Sequence, residues 1–342
     1  MKENVTIKDI ARICNVGIST VSRAINNDSG INENTRERIL EVARKFHYVP
    51  NNSARNLKLV DSNTIALLVK GVKNPFFQGM YDVFERELRA QGYQFIMNAV
   101  LETQDEGQVA MELVTEKRLK GVIFLGGTNT RANRLDHIGV PYVFCSSALR
   151  ANEKPDYCAV AIDDEKESRK VVEYLISKGH KKIAIITGKK SDRLIGYSRL
   201  VGYENALKEH GIKVNEKLIS YMPEELSEYS EESGYQSMRE LLRSGEKFTA
   251  VYIISDRTAF GAYKAIYDAG KRIPEDYSVV GFDGVEYTRY MQPALTTMEQ
   301  PVETMVRSSI ELLMAQINGD ENKYFKIYDA ELLERESVRS IG

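Results

Sequence analysis

The chain has 342 residues, 42% hydrophobic and 28% charged, and a formal net charge of −2; that length suits two or three domains with real cores. The first sixty residues carry 10 Lys+Arg against 6 Asp+Glu, a net +4, so the remainder carries −6: a basic head on an acidic body, which suits a leading segment that meets phosphate. Cys14, Cys145 and Cys158 are odd in number and widely spaced, His47, His137, His180 and His210 form no metal-spaced pair, and no run reaches signal-core or membrane-span length. We therefore expect a reduced cytoplasmic protein without disulfides, bound metal, cofactor or membrane contact.

The first helix is predicted to start at Thr6, where Thr6 and Asp9 have capping-box spacing. Ile7, Ile10, Ala11 and Cys14 make its apolar stripe. Asn15-Val16-Gly17 reads as a tight turn, because Asn and Gly tolerate the left-handed conformation. The helix that follows, through Asn26, has two faces. Val21, Ala24 and Ile25 point inward, while Ile18, Ser19, Ser22 and Arg23 point outward. Arg can bond a guanine edge, hydroxyls can bond bases or phosphates, and an aliphatic can touch a thymine methyl. A third helix from about Asn32 turns Ile39, Val42, Ala43 and Phe46 inward. Three short helices around one small core, with a three-residue turn inside, make a helix-turn-helix. Pro50 disfavours helix at Val49 and closes this head. Asn51-Asn52-Ser53 can cap a helix of about two turns over Ser53 to Lys58, too short to be stable alone.

From Asn63 the pattern changes to alternating strands and helices. Strands are predicted at 65–69, 94–100, 121–125, 142–145, 159–162, 182–187, 250–254 and 278–282, with helices near 77–89, 104–118, 164–178, 196–210, 231–243, 256–269 and 301–317. Such alternation implies α/β architecture with doubly wound parallel sheets, and the number of units implies two similar halves with a cleft between them.

Val5 through Ala11, Thr20 through Asn26, Thr35 through Ile39 and Tyr48 through Asn51 resemble the head of the lactose/galactose repressor family. One departure is Asn15-Val16-Gly17 where the family usually has Gly-Val-Ser; Gly17 supplies no side-chain oxygen to the next helix, so a weaker but correctly placed helix start is expected. Further landmarks run through the body: Asn74 to Phe77, Gly179 to Ile183, Arg199 to Tyr203, Asp256 to Gly261, Gly281 to Asp283, Pro293 to Thr297, Gln300-Pro301 and Glu334 to Ser337. The resemblance thus covers nearly the whole chain. It implies a small all-α helix-turn-helix head (1–50), a hinge helix and linker (51–62), and a body (63–342) like periplasmic sugar-binding proteins. Within the body, subdomain 1 is expected at about 63–161 and 294–322 and subdomain 2 at about 162–291 and 323–340, with crossings near 161–163, 290–294 and 321–325.

By the same resemblance, the residues meeting double-stranded operator DNA are Thr6, Ile18, Ser19, Thr20, Ser22, Arg23, Asn26, Asn51, Ala54, Arg55 and Leu57. Leu57 is the wedge between base steps in the minor groove, Ala54 permits close approach, and Arg55 meets phosphate. The effector set is Phe76, Phe77, Asp163, Arg193, Arg199, Ser255, Asp256 and Asp283. Each sits just past a predicted strand or opens a helix, where open α/β sheets bind ligands. Aromatics can stack on a ring while Arg and Asp bond hydroxyls, which suits a sugar or another small polar ring. Two departures concern the ligand. Lys70 stands where many relatives carry an acid, and the acidic stretch from Tyr221 to Glu232 stands where the family often places an aromatic, so Tyr221 and Tyr229 both remain candidates.

The implied protein is a homodimeric, cytoplasmic, nucleoid-associated transcription regulator, usually a repressor, that binds a pseudo-palindromic operator under control of a small molecule. A phosphorylated carrier protein acting as co-repressor is a further partner the resemblance allows. A free solute-binding protein for uptake or chemotaxis is the alternative; the head and the lack of a signal core argue against it. A sugar enzyme with an appended head is disfavoured because no paired acid and base candidates form a catalytic motif.

Overall fold

The computed structural model describes residues 7–25, 31–45, 63–101, 103–127, 135, 138–146 and 157–341. The chain divides into two compact units, Met1–Val60 and Asp61–Gly342. In the first, α1 (Ile7–Ile13), α2 (Ile18–Ile25) and α3 (Glu33–Lys45) surround a core of Ile10, Ala11, Cys14, Val21, Ala24 and Ile39. Asn15 takes the left-handed conformation at φ 49°, and α2 starts at Ile18 directly after Gly17, so the missing side-chain cap does not move it. Arg38 Nη2 donates to the Cys14 carbonyl at 3.1 Å and fastens α3 to that turn. Of the inward positions read from the sequence, Ile10, Ala11, Cys14, Val21, Ala24, Ile39 and Ala43 are buried, and Ile7, Ile25 and Val42 are half-buried against them. Thr6, Asn26, Phe46, Asn51, Ala54, Arg55 and Leu57, with the proposed hinge helix, lie outside the described residues.

The second unit holds two six-stranded sheets. The first runs β2 (Gln94–Val100), β1 (Thr64–Lys70), β3 (Gly121–Leu125), β4 (Tyr142–Cys145), β5 (Cys158–Ile162) and β11 (Phe325–Tyr328), all parallel. The other runs β7 (Ile219–Met222), β6 (Ile183–Lys189), β8 (Ala250–Ile253), β9 (Ser278–Asp283), β10 (Thr296–Glu299) and β12 (Glu331–Leu333), and only β12 is antiparallel. Helices α4 (Pro75–Ala90), α5 (Glu106–Lys117), α6 (Asp164–Ser177), α7 (Ile195–Glu209), α8 (Glu231–Arg243), α9 (Asp256–Asp268) and α10 (Val302–Ile317) cover them. β1 shows why the strands read as continuous apolar runs: Ile65, Leu67 and Val69 enter one core and Ala66 and Leu68 another, so both faces are buried.

The chain passes between the sheets three times. The first passage, between β5 and α6, lies at Asp163, within the expected 161–163. The second follows Glu299 rather than falling at 290–294, because β10 still pairs with β9 (Thr297 opposite Gly281) before α10 returns to the first sheet. There Leu313 packs so closely on Gly121 that a Cβ at that glycine would lie 3.0 Å from it. The third passage is at Asp329-Ala330, later than the expected 321–325, because β11 still pairs with β5. Strands β7, β10, β11 and β12 were not among the predicted elements. His180 is fully buried between Thr249 Oγ1 (2.8 Å) and the Arg339 carbonyl (3.0 Å), where burial lowers its pKa; it ties the chain's last segment to the second sheet.

Candidate functional site

In the head, α2 leaves Ile18, Ser19 and Arg23 exposed, with Thr20 and Ser22 half-buried beside them. Ile18 keeps 46% of its surface, although Val21 and Ala24 on the opposite side keep 0% and 1%. An aliphatic, hydroxyls and a guanidinium therefore share one open face on a helix of eight residues.

In the body, a cleft of about 790 Å³ opens where the carboxyl ends of strands from both sheets converge. Phe76, Phe77, Arg193, Arg199, Ser255 and Asp283 line it; Asp163 and Asp256 do not. On the first-sheet side, β1 runs through Lys70 to Asn74, whose Oδ1 accepts from the Phe76 amide at 3.1 Å and caps α4. Pro75 follows at the first helical position, which needs no amide hydrogen. That cap fixes the two rings: Phe76 is buried, Phe77 is half-buried, and their centroids lie 5.4 Å apart at 52°. Gly126, at φ +75°, makes room for Phe77. A Cβ there would lie 2.4 Å from the ring and 2.8 Å from the Lys70 carbonyl.

The second-sheet side is a polar network. Arg199, on α7, is 4% exposed. Its Nε donates to Asp164 Oδ1 at 2.8 Å, its Nη1 donates to the Ile254 carbonyl and lies 3.6 Å from Asp283 Oδ1, and its guanidinium stacks 3.6 Å over Phe282. Burial opposes the charge on Arg199, but Asp164 and Asp283 outweigh it and hold the group protonated. Asp283 ends β9 at φ 118°, a strained value for a residue with a Cβ. It accepts from Ser255 Oγ at 3.1 Å and Gln300 Nε2 at 3.0 Å. Burial pushes its pKa up to about 6 despite the opposing pull of Arg199.

Asp163 and Asp256 have other work. Asp163 is exposed and its Oδ1 accepts from the Lys166 amide at 3.0 Å, capping α6. Asp256 is fully buried and accepts from Thr297 Oγ1 at 2.6 Å and the Val285 amide at 2.8 Å. Burial, then the Asp283 charge, push its pKa far up. It braces β10 and the turn after β9 behind the cleft wall. Of the two tyrosines left open by the sequence, Tyr229 lines the cleft and Tyr221 does not. Tyr229 takes φ 54° and donates to Asp192 Oδ2 at 3.4 Å.

Sequence reasoning did not single out Lys189, Asp192, Glu228, Arg257 and Gln300, which also line the cleft, or Asp164, which anchors Arg199 from behind. Gln300 carried a signal, standing in a family landmark at a strand end. A second cavity of about 380 Å³ at the amino ends of the second sheet is lined by Lys181, Lys182, Tyr203 and Leu218 and holds none of the expected site residues. Among the described residues no cluster of His, Cys, Asp and Glu is set to hold a metal, and no helix is long and apolar enough to cross a membrane.

Residues 6–51 match the model of bacterial regulatory proteins of the lacI family, and residues 172–338 match a periplasmic binding protein-like domain. The HTH-type transcriptional regulator MalR of Clostridium butyricum is 39% identical over 340 residues, 98% of this chain and 99% of its own. The chain belongs to the lacI family. It is a DNA-binding transcription regulator with a helix-turn-helix head and a periplasmic-binding-like body. Among solved structures, the lacI-family chain is similar to the regulator CelR in complex with cellobiose, at TM-score 0.71 and 30% identity, covering 97% of this chain and 99% of that one. A lacI-family regulator from Enterococcus faecium with bound ribose superposes at TM-score 0.69 with 26% identity, covering 82% of this chain and 100% of its own.

Proposed function

We propose that the chain is a cytoplasmic, nucleoid-associated homodimer that represses transcription from a pseudo-palindromic operator, and that a sugar or sugar derivative held between the body's two subdomains sets its operator affinity. The carrying observation is the cleft itself: two aromatic rings from one sheet face a buried Arg, Asp and Ser set from the other across about 790 Å³. Solved relatives carrying cellobiose and ribose support the ligand class. The open face of α2 supports a base-reading role for Ile18, Ser19 and Arg23, with Thr20 and Ser22 nearer phosphate. Residues 1–50 form the head, 51–62 the hinge and 63–342 the body in this reading, and the dimer supplies two heads because one recognition helix reads too few base pairs. A ligand touching both subdomains changes their angle and so couples to DNA affinity, typically by about 1–3 kcal/mol. The reading needs no catalytic step and no cofactor.

The test is a thermal-shift screen of sugars and sugar derivatives on the full chain, followed by titration of an operator selected from random DNA, with and without the hit. A hit that moves operator affinity supports the reading. A carrier protein that tightens operator binding when no sugar does would make the phosphorylated carrier the effector instead. In the same assay Arg23→Ala should cost about 1–3 kcal/mol on the selected site and relax its sequence preference. Equal losses on selected and random DNA would assign Arg23 to phosphate. A solute-binding role would leave the chain with no selected DNA at all.

A further inference from the structure

We infer that the cleft is built for an acidic sugar, one carrying a carboxylate or a phosphate; this rests on the cleft being the effector site. Among the described residues, basic side chains lining the cleft outnumber acidic ones six to three, in a body whose sequence after the first sixty residues carries a net −6.

The three acids are engaged by the protein itself. Asp192 accepts from the amides of Leu194 (2.7 Å) and Gly196 (2.8 Å). Asp283 is held by Ser255, Gln300 and Arg199. Glu228 accepts from the Lys189 amide at 3.2 Å. Two of the six bases are likewise engaged: Arg199 by Asp164, and Arg257 by Glu231 at 2.7 Å. Four are left. Among the described residues, Arg193 donates to the carbonyls of Lys190 and Asp192 and to no carboxylate. Lys70, Lys73 and Lys189 have no carboxylate within ion-pair reach among the described residues.

Lys70 and Lys189 matter most. Each is half-buried, each ends a strand, and they come from different sheets: Lys70 closes β1 and Lys189 closes β6. Both subdomains thus bring a half-buried lysine to one cavity, and neither has a carboxylate partner among the described residues. An anion held between them would meet both charges. The amino end of α9 opens on the same cavity, and its cap residue Ser255 makes no side-chain capping bond, whereas Asp192 already takes the Gly196 amide in the first turn of α7. The aligned peptide dipoles of α9 add positive potential where the lysines already supply it. A neutral sugar would use the rings and the polar network and leave both ammonium groups unmatched. An acidic one matches them, and it does so by bridging the two subdomains.

The experiment is calorimetry on the full chain with glucose, ribose, maltose and cellobiose, then glucose 6-phosphate, ribose 5-phosphate and glucuronate, and inorganic phosphate alone. We expect at least one acidic sugar to bind roughly tenfold or more tighter than its neutral parent. Its binding should weaken as salt rises from about 50 to about 500 mM. Lys70→Ala and Lys189→Ala should each erase about tenfold of that preference, while Lys213→Ala, an equal charge change outside the cleft, should not. Preference among the sugar phosphates and glucuronate says which acid is meant. Neutral sugars binding as tightly as the acidic ones would overturn the inference and leave the sugar cleft standing. Inorganic phosphate binding as tightly as the sugar phosphates would also overturn it, since the anion alone would then be the ligand. If no member of the panel binds, the cleft reading and this inference fall together.

Discussion

On the second-sheet side of the cleft, Arg199, Asp164, Asp283, Ser255 and Gln300 are all buried and all bonded to one another or to backbone. On the first-sheet side, Phe76 packs into the core and Phe77 lies half-buried against it, placed by a helix cap and a glycine, and Lys70 beside them has no carboxylate partner among the described residues. The difference teaches that lining a cleft and being free to bind are separate properties. Arg199 and Asp283 belong first to the fold; Phe77 and Lys70 keep unused binding capacity. Substitutions should therefore act on stability on one side and on ligand affinity on the other.

The largest effect should come from Arg199→Ala, which leaves Asp164 and Asp283 buried without their cation and should cost about 3–5 kcal/mol in urea unfolding. A loss below about 1 kcal/mol would mean that the network does not hold its wall. Asp283→Asn tests the same wall through pH. The folded pKa is raised from 3.8 to about 6, so the folded chain holds this proton more tightly than the unfolded one. The stabilisation is present in full below the unfolded value and is lost as pH rises through the folded value. Between about pH 4 and pH 7 the wild type should thus lose about 3 kcal/mol relative to Asp283→Asn. A constant difference between the two proteins across that window would show that Asp283 ionises as it would in water.

Smaller effects belong to the other wall. Gly126→Ala forces a side chain to φ +75° against Phe77, and should cost about 1–3 kcal/mol while displacing the ring, so calorimetry should show weaker sugar binding. Phe77→Ala removes a half-buried ring and should cost less than about 2 kcal/mol of stability, with sugar affinity falling roughly tenfold at unchanged operator binding. If it proved as destabilising as Arg199→Ala, the contrast between the walls would collapse.

Much of this was legible because the central strands are buried on both faces. Ile65 to Val69, Gly121 to Leu125 and Ser278 to Phe282 carry apolar runs that no helix or loop would need. Missed strands are short and depend on their neighbours. Thr296–Glu299 is half polar, and pairing with β9 and β12 decides it. Missing it put the second crossing too early, near 290–294. Positions just past a strand end bring Phe76, Ser255 and Asp283 to the cleft lining. Asp163 and Asp256 hold like positions without lining it, because such a position also serves helix caps and turn braces, and type and spacing do not separate these uses. Tyr229 over Tyr221 depended on the path of an acidic loop that has no periodicity to read.

The three passages between the sheets lie side by side. Ile162 and Tyr328, from which the first and third depart, are paired neighbours, as are Glu299 and Glu331 at the second departure and third arrival. Lys166, just past the first, grips Asp329 within the third at 2.6 Å. Three short parallel ribbons joining two rigid blocks act as a flexure: compliant about one axis, stiff against twisting and sliding. The relative motion of the sheets is then close to a single hinge angle rather than a general displacement. Gln300, which clasps Asp283, sits in one of those ribbons, so the cleft wall and the joint share a residue.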